Sequence, residues 1–373
     1  MNPFFIIVFL LYTLINVYIF YKVWRILPKS QAVKITYIAI YFFVFSSFII
    51  AMLGRNVLPL SLQKFLYFPG TSWLGFMMYL LLFFAITDLV YFLCRIAIGI
   101  SYKVTEIFRK IQVFTGYFLV ICLAIYGYYQ FKHPQIAEQQ IRIHKEAGSY
   151  KSLKVVGISD LHLGVNIDKN SLKQYVELIN AQKPDLILIA GDIVDNNALP
   201  LEKEKMWEEF EQLQAPLGVY LCLGNHEYLS GIQPSMDFLK KTKLHILIDD
   251  FELVDNSLYI IGRDDKQGNP QRKDLKNLRD GIDSTLPLIL LDHEPFHLEE
   301  AEANGIDLQF SGHTHNGQMW PGNLIASKIY ELGYGYKQKG ATHYYVSSGL
   351  GLWGPQFRIG TQSEIVIFDI QFN

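Results

Sequence analysis

Four long apolar segments occupy the first third of this 373-residue chain and constrain its fold more than any other feature. They cover approximately residues 3–21, 35–53, 72–93 and 111–129. Each is close to the ~20 residues that an α-helix needs to cross the ~30 Å hydrocarbon core of a bilayer. A single segment of this kind could be a buried helix of a soluble protein, but four in succession with almost no interior charge favour four transmembrane helices. The first segment lacks a basic start and a small-residue cleavage site, so we do not expect a cleaved signal peptide.

The charge distribution divides the chain into two parts. Residues 1–131 hold ten Lys and Arg but only two acids, whereas residues 132–373 hold 23 basic and 33 acidic residues, a formal balance of −10. We therefore predict a four-span transmembrane domain over 1–131 and a second domain over 132–373. A domain with a net charge of −10 repels polyanions on average, so nucleic acid is not expected as a partner. The three cysteines match no C-x-x-C pattern and make no disulfide framework.

The basic residues of the short loops predict the orientation in the membrane. Eight of them fall in the first and third loops: Lys22, Arg25, Lys29, Lys34, Arg95, Lys103, Arg109 and Lys110. Only Arg55 and Lys64 fall in the second loop. The positive-inside rule then places the first and third loops in the cytoplasm and the second domain outside it. Lys132, Arg142 and Lys145, just after the fourth segment, favour the opposite orientation.

Asp88 is the acidic residue within the apolar segments. A carboxylate inside a membrane can mark a polar pathway. Near the inner end of a span it more commonly snorkels toward the interface or caps a helix, and we expect such a structural role here.

From about Gln135 the chain alternates short apolar strands with amphipathic helices. We predict helices over 171–182 and 202–214, the second with Met206, Phe210 and Leu213 facing inward. Strands are predicted over 153–158, 186–190, 219–223, 245–248, a hairpin over 251–261, and 288–291, 308–310, 344–347 and 364–370. Strands and helices alternate in the first part of this domain, and strands predominate in the later part. This order predicts an α/β fold of two packed β-sheets flanked by helices.

Five of the predicted strands end in Asp, Asn or His. The segments that follow are S-D-L-H at 159–162, G-D-I-V-D at 191–195, G-N-H-E at 224–227, D-H-E-P at 292–295 and G-H-T-H at 312–315. Each alone is more often a turn or a surface histidine, but half of the ten His residues fall in these five segments. The carboxyl ends of the strands of α/β sheets meet around a crevice, so we expect one site. The i, i+2 spacing of Asp160 and His162 puts both on one side of an extended backbone.

This ordered set resembles the calcineurin-like metallophosphoesterase superfamily, whose pattern is D-x-H, G-D-x-x-D, G-N-H-[ED], a single His and G-H-x-H. The five blocks span roughly residues 154–315. The resemblance implies an αββα sandwich and is strongest to the membrane-tethered bacterial metallophosphoesterases, which share G-H-T-H-G-G-Q. Here Asn316 replaces the first of the two trailing glycines. Asn adopts a left-handed φ routinely, so we expect the turn to be kept.

The resemblance also implies two divalent metal ions and their ligands. One ion would be bound by Asp160, His162, Asp192 and His315, and the other by Asp192, Asn225, His293 and His313. Asp192 would bridge the two ions, and a ligand set without thiolate favours Mn, Fe or Zn. His226 is the implied general acid, and Asp195 the carboxylate that orients it. Glu227 is interpreted as a loop residue.

The implied activity is hydrolysis of a phosphodiester, phosphomonoester or pyrophosphate bond. The membrane segments favour a lipid-linked substrate, whereas soluble phosphoesters or nucleotides are the alternative substrates. A non-catalytic membrane sensor or scaffold is the alternative that is not an enzyme, although a binding module would not need His226 beside Asn225. Arg263 and Arg272 are candidate phosphate contacts. The sequence contains no P-loop, no G-x-S-x-G and no G-x-G-x-x-G after a strand.

Overall fold

The computed structural model describes residues 3–55, 57–99 and 102–373. The chain forms two compact units. One comprises the chain up to Gly127 together with Gly354–Gln356, and the other comprises Tyr128–Trp353 and Phe357–Asn373.

The first unit is built from helices. They are α1 (Pro3–Trp24), α2 (Gln31–Leu53), α3 (Leu60–Ile98) and α4 (Tyr102–Lys132). All four are long and apolar enough to cross a membrane, which confirms the four predicted segments.

All four helices extend beyond their apolar segments, and α3 and α4 do so by the largest margin. The 39 residues of α3 rise by ~58 Å, about twice the thickness of the hydrocarbon core. Lys64, Arg95 and Arg109, which the sequence placed in loops, therefore lie within helices. Long basic side chains near helix ends can bury their stems and extend their charges toward the lipid headgroups. Basic residues can therefore lie within the ends of membrane helices.

The second unit consists of strands and short helices. Its strands are β1 (Gln135–Ile143), β2 (Ser152–Ile158), β3 (Leu186–Ala190), β4 (Val219–Cys222), β5 (His245–Leu247), β6 (Asp250–Val254), β7 (Leu258–Gly262), β8 (Leu288–Leu291), β9 (Leu308–Ser311), β10 (Gly335–Lys339), β11 (Thr342–Val346) and β12 (Glu364–Phe372). Its helices are α5 (Lys169–Ala181), α6 (Leu199–Lys203), α7 (Trp207–Phe210), α8 (Asn225–Leu229), α9 (Ile232–Leu239), α10 (Leu275–Leu278), α11 (Leu298–Ala303) and α12 (Gly322–Ile329), with a 3-10 turn at His315–Gly317.

The strands form two six-stranded sheets. The first has the order β1-β12-β2-β3-β4-β5 and the second β10-β11-β9-β8-β7-β6. Strands β2 to β5 are parallel neighbours in the first sheet, and β7, β8, β9 and β11 are parallel neighbours in the second. An apolar core that includes Leu188, Phe310 and Phe368 joins the two sheets. Two further cores pack helices on the sheets, so the predicted sandwich of two sheets flanked by helices is confirmed.

Hydrophobicity explains which strands the sequence revealed. Strands β3 (LILIA) and β8 (LILL) are buried along their whole length, as is typical of parallel strands covered on both faces. Strands β1 (QIAEQQIRI) and β10 (GYKQK) were not predicted. Each lies at the edge of its sheet and is mostly polar, so neither carries a strong apolar signal.

The single helix predicted over 202–214 is wrong. The structure has α6 and α7 there, separated by Glu204–Met206. Lys205 adopts a left-handed φ of 51°, which no α-helix accommodates. Met206 and Phe210 are nevertheless buried in the core, as the apolar spacing indicated.

Candidate metal centre

Five strands from the two sheets end at one site. Strands β2, β3 and β4 of the first sheet and β8 and β9 of the second lead directly into the segments singled out above. Backbone bonds connect these segments, from Asp160 N–H to Gly191 O at 3.1 Å and from Gly312 N–H to His293 O at 3.0 Å. His313 N–H donates to Asp160 Oδ1 at 3.0 Å and so links the two sheets. The two sheets therefore position the predicted ligands jointly.

Asp160, His162 and His315 form one group of ligand atoms. A carboxylate oxygen and two ring nitrogens lie within 4.8 Å of one another, with Nε2 of His162 3.0 Å from Nε2 of His315. His315 Nε2 is 3.5 Å from Asp160 Oδ1. Burial lowers the pKa of both histidines well below the usual value, with neighbouring positive charges acting in the same direction. Neutral imidazoles beside a carboxylate fit a divalent metal ion.

Asp160, Asp192 and His293 form a second group. Nδ1 of His293 lies 2.7 Å from the carbonyl oxygen of Ala190, so Nδ1 carries the hydrogen that this bond needs. Nε2 then faces Asp192 Oδ2 at 3.2 Å. A ring nitrogen and a carboxylate oxygen this close need a cation between them, which is either a proton on His293, whose pKa Asp192 raises, or a metal ion that replaces that proton. Asp192 Oδ2 is also 3.6 Å from His162 Nε2, so this oxygen faces both groups.

His313 and Asn225 adjoin the second group. Nδ1 of His313 lies 3.1 Å from Oδ1 of Asn225, and the His313 ring centroid is 5.2 Å from that of His293. The structure therefore brings together the seven predicted ligands: Asp160, His162, Asp192, Asn225, His293, His313 and His315.

The ligands sit on left-handed backbone. Five of them have positive φ: Asp160 (54°), His162 (46°), Asp192 (57°), His313 (70°) and His315 (50°). The extended segment inferred from the i, i+2 spacing is therefore wrong. Such conformations cost of order 1–3 kcal/mol each and persist where the surroundings enforce them, commonly at functional sites. Asn316 has φ 49°, which confirms that the turn is kept without glycine.

His226 and Asp195 lie beside the ligands. Nδ1 of His226 is 3.4 Å from Asp195 Oδ1, and the same oxygen is 3.9 Å from Nδ1 of His162. Burial opposes protonation of His226, but the charges of Asp192 and Asp195 outweigh it and raise the pKa of His226 to about 9. With Nδ1 directed at Asp195, the other ring nitrogen is the one able to deliver a proton.

Glu227 is not the loop residue that we expected. It is fully buried and accepts four backbone N–H bonds, from Asp192, Ile193, Val194 and Gly224, at 2.7–3.1 Å. Burial raises its pKa to about 7, whereas the four donors stabilise the ionised form. One carboxylate thus holds together the segments that follow β3 and β4. Its position three residues after Gly224, at N3 of α8, was the available signal.

Arg263 and Arg272 are not positioned as free phosphate contacts. Arg263 Nη1 donates to Asp292 at 3.1 Å and to Glu300 at 2.8 Å. Arg272 donates to both oxygens of Asp292, at 2.9 and 3.2 Å. The two guanidinium groups therefore secure Asp292, the residue before the ligand His293.

Arg358 belongs to the site although no motif contains it. It is fully buried and donates to the carbonyl oxygens of Gly349 at 3.1 Å and Gly351 at 2.5 Å. Burial lowers its pKa to about 10, so it keeps its charge at neutral pH. Its Nη1 lies 3.4 Å from the carbonyl oxygen of His315, behind that ligand.

Comparison with known proteins identifies the chemistry of this site. The sequence matches the calcineurin-like phosphoesterase family over residues 153–317. An uncharacterized metallophosphoesterase of Campylobacter jejuni is 30% identical over 98% of this chain and 97% of its own length. The metallophosphoesterase YkuE of Bacillus subtilis, also uncharacterized, is 30% identical over 66% of this chain and 90% of its own. A Danio rerio protein named transmembrane protein with metallophosphoesterase domain is 28% identical over 68% of this chain and 61% of its own. The chain therefore belongs to the calcineurin-like metallophosphoesterase family and is a metal-dependent phosphoester hydrolase of a membrane.

Proposed function

We propose that this protein uses two divalent ions to hydrolyse a phosphoester or pyrophosphate bond of a lipid-linked substrate. Asp160, His162 and His315 would hold one ion, and His293, His313 and Asn225 would hold the other. Asp192 would serve both ions, because its Oδ2 faces both His162 and His293. Ions of Mn, Fe or Zn suit this donor set. When bound, they supply Lewis acidity toward the phosphoryl oxygens and the attacking water.

The protein's own residues orient the ligands and deliver the proton. The Ala190 carbonyl fixes the tautomer of His293, and the backbone N–H of His226 donates to Asp192 Oδ1 at 2.8 Å. This bond fixes His226 relative to the bridging carboxylate. His226, held by Asp195, protonates the leaving oxygen.

An apolar rim beside the predicted ligands is the observation that supports a lipid-linked substrate. Helix α12 begins seven residues after His315 and exposes Leu324, Ile325 and Ile329, each by more than half of its surface. Tyr330, at the end of α12, has its ring 6.1 Å from that of His313. Exposed apolar patches of this kind mark lipid, ligand or protein contacts.

Trp353 adds an exposed aromatic ring near His226. Its ring lies 6.5 Å from that of His226, and 42% of its surface is exposed. The leaving group, next to His226, would thus meet an aromatic face. Soluble nucleotides have no part that benefits from the aliphatic surface of α12, whereas acyl or isoprenyl chains do.

The connection to the membrane favours the same class of substrate. Helix α4 ends at Lys132 and β1 begins at Gln135, so two residues, spanning roughly 7 Å, join them. This tether raises the effective concentration of the site toward lipid-linked phosphates. The eight basic residues of the first and third loops support an extracytoplasmic catalytic domain.

The test compares a lipid phosphoester in vesicles with its water-soluble headgroup analogue, using metal-loaded full-length protein. We expect Ile325→Ser with Ile329→Ser to lower kcat/KM for the lipid at least tenfold and to leave the soluble analogue unchanged. Leu178→Ser with Leu253→Ser, which alters two exposed apolar residues on α5 and β6, is the matched control. Equal loss on both substrates, or faster turnover of soluble nucleotides than of any lipid, would replace this proposal by the soluble-substrate alternative.

A further inference from the structure

A polar network lies among α1, α3 and α4 in the membrane unit. Asp88, expected to snorkel or cap a helix, instead pairs with Lys22 and accepts bonds from Tyr18 at 2.7 Å and from Gln112 Nε2 at 2.8 Å. Gln112 also accepts a bond from Lys22 at 3.2 Å. The charge and the hydrogen-bonding capacity of the Asp88 carboxylate are therefore matched within the helix bundle, near the first loop.

This network borders a cavity of about 280 Å³. Its charged lining consists of Lys22, Arg25, Arg109 and Asp88, which leaves two positive charges in excess. The carboxylates of the membrane unit cannot offset them, because Asp88 is paired with Lys22 and Glu106 with Lys110.

Arg25 and Arg109 carry the two excess charges. Among the residues that the structure describes, no carboxylate pairs with Arg25 or Arg109. Arg25 lies over the ring of Tyr21, with Cζ 5.2 Å from its centroid, which leaves its N–H groups available. Two guanidinium groups at one cavity favour an anion with several oxygen acceptors, such as a phosphate.

An apolar cavity of about 460 Å³ adjoins the basic one. Val113 lines both. The lining of the apolar cavity includes Val23, Ile26, Ile40 and Phe114. A phosphate-binding end continuous with a hydrocarbon-lined end matches the two halves of a phospholipid. Basic pockets between transmembrane helices on the cytoplasmic side are known to take anionic headgroups.

We propose that these two cavities bind one anionic phospholipid, with its phosphate on Arg25, Arg109 and Lys22 and an acyl chain along Val113. The residues that line the two cavities all belong to the membrane unit, and none of them is a predicted metal ligand. The two cavities therefore form a lipid site separate from the catalytic one. Its occupant is a structural or regulatory lipid and not the substrate.

The test uses full-length protein in bilayers of phosphatidylcholine with an increasing fraction of phosphatidylglycerol. Lipid that remains bound after mild detergent extraction is counted by native mass spectrometry. Wild-type protein should retain phosphatidylglycerol selectively. Arg25→Gln with Arg109→Gln should weaken this retention by about 30-fold, since each charge near the headgroups contributes about one kcal/mol.

The matched control is Lys29→Gln with Lys34→Gln, which removes two charges near the first loop but outside the cavity. It should retain phosphatidylglycerol like the wild type. Asp88→Asn removes the competing negative charge and should increase retention, a gain that misfolding cannot produce. Equal losses in the two double variants, wild-type retention of phosphatidylcholine to the same extent, or displacement by soluble glycerol phosphate would overturn the proposal.

Discussion

Replacement of Glu227 by Gln is a sharp test of how the site is held together. Each carboxylate oxygen accepts two of the four backbone N–H bonds: Oε1 from Ile193 and Val194, and Oε2 from Asp192 and Gly224. Whichever oxygen becomes an NH2 group, two buried N–H groups lose their acceptor. At about 1–3 kcal/mol for each unsatisfied group, the domain should lose about 2–6 kcal/mol.

Thermal unfolding of full-length protein, followed through the transition of the metal-centre domain, measures this loss. For a domain of this size 1 kcal/mol corresponds to about 2–4 °C, so the midpoint should fall by about 4–24 °C. Glu211→Gln is the control, because among the described residues the Glu211 carboxylate makes only a surface pair, with Lys243 at 3.7 Å. This variant should shift the midpoint by less than about 2 °C. If Glu227→Gln unfolds at the same temperature as the control variant and keeps its metals, Glu227 does not hold the two segments of the site together.

Three further predictions follow from the site and the membrane unit. His226→Ala should keep its metals while kcat falls by about 10² to 10⁴, with a smaller loss on substrates that have good leaving groups; an equal loss across leaving groups, measured by steady-state kinetics, would argue against proton donation. Gly224→Ala should lower metal content, because a Cβ there would collide with Asp192 Oδ1, and normal metal content by mass spectrometry would refute this. In a background without native cysteines, Ser284→Cys should react with an impermeant reagent in intact cells and Gln31→Cys should not, whereas the reverse pattern would place the active site in the cytoplasm.

Much of this architecture follows from the sequence, because the strongest signals are hydrophobic. The four apolar segments specify the membrane helices, and the continuous apolar runs of β3 and β8 reflect burial on both faces. Both sheets carry their parallel strands toward one edge. Polar residues at those strand ends, such as Asp192 and His293, had to converge.

What the sequence did not reveal depends on tertiary context. Strands β1 and β10 pair with β12 and β11, and their own mostly polar sequences do not reveal this pairing. The left-handed φ of Asp160 is set by its surroundings, since an aspartate can adopt extended backbone as well. Arg358 lies 43 residues from His315, and only the folded chain shows that it donates to the carbonyl oxygen of this predicted ligand.

A two-metal centre bridged by Asp192 can be tested by metal stoichiometry. Purified full-length protein, wild type and Asp192→Asn, is loaded with Mn, Fe or Zn, and the bound ions are counted by mass spectrometry. We predict two ions per wild-type chain. The variant should hold far fewer, because an amide supplies no charge to either ion. A folded, active wild-type chain with a single ion, or an Asp192→Asn chain with two tightly bound ions, would contradict the account.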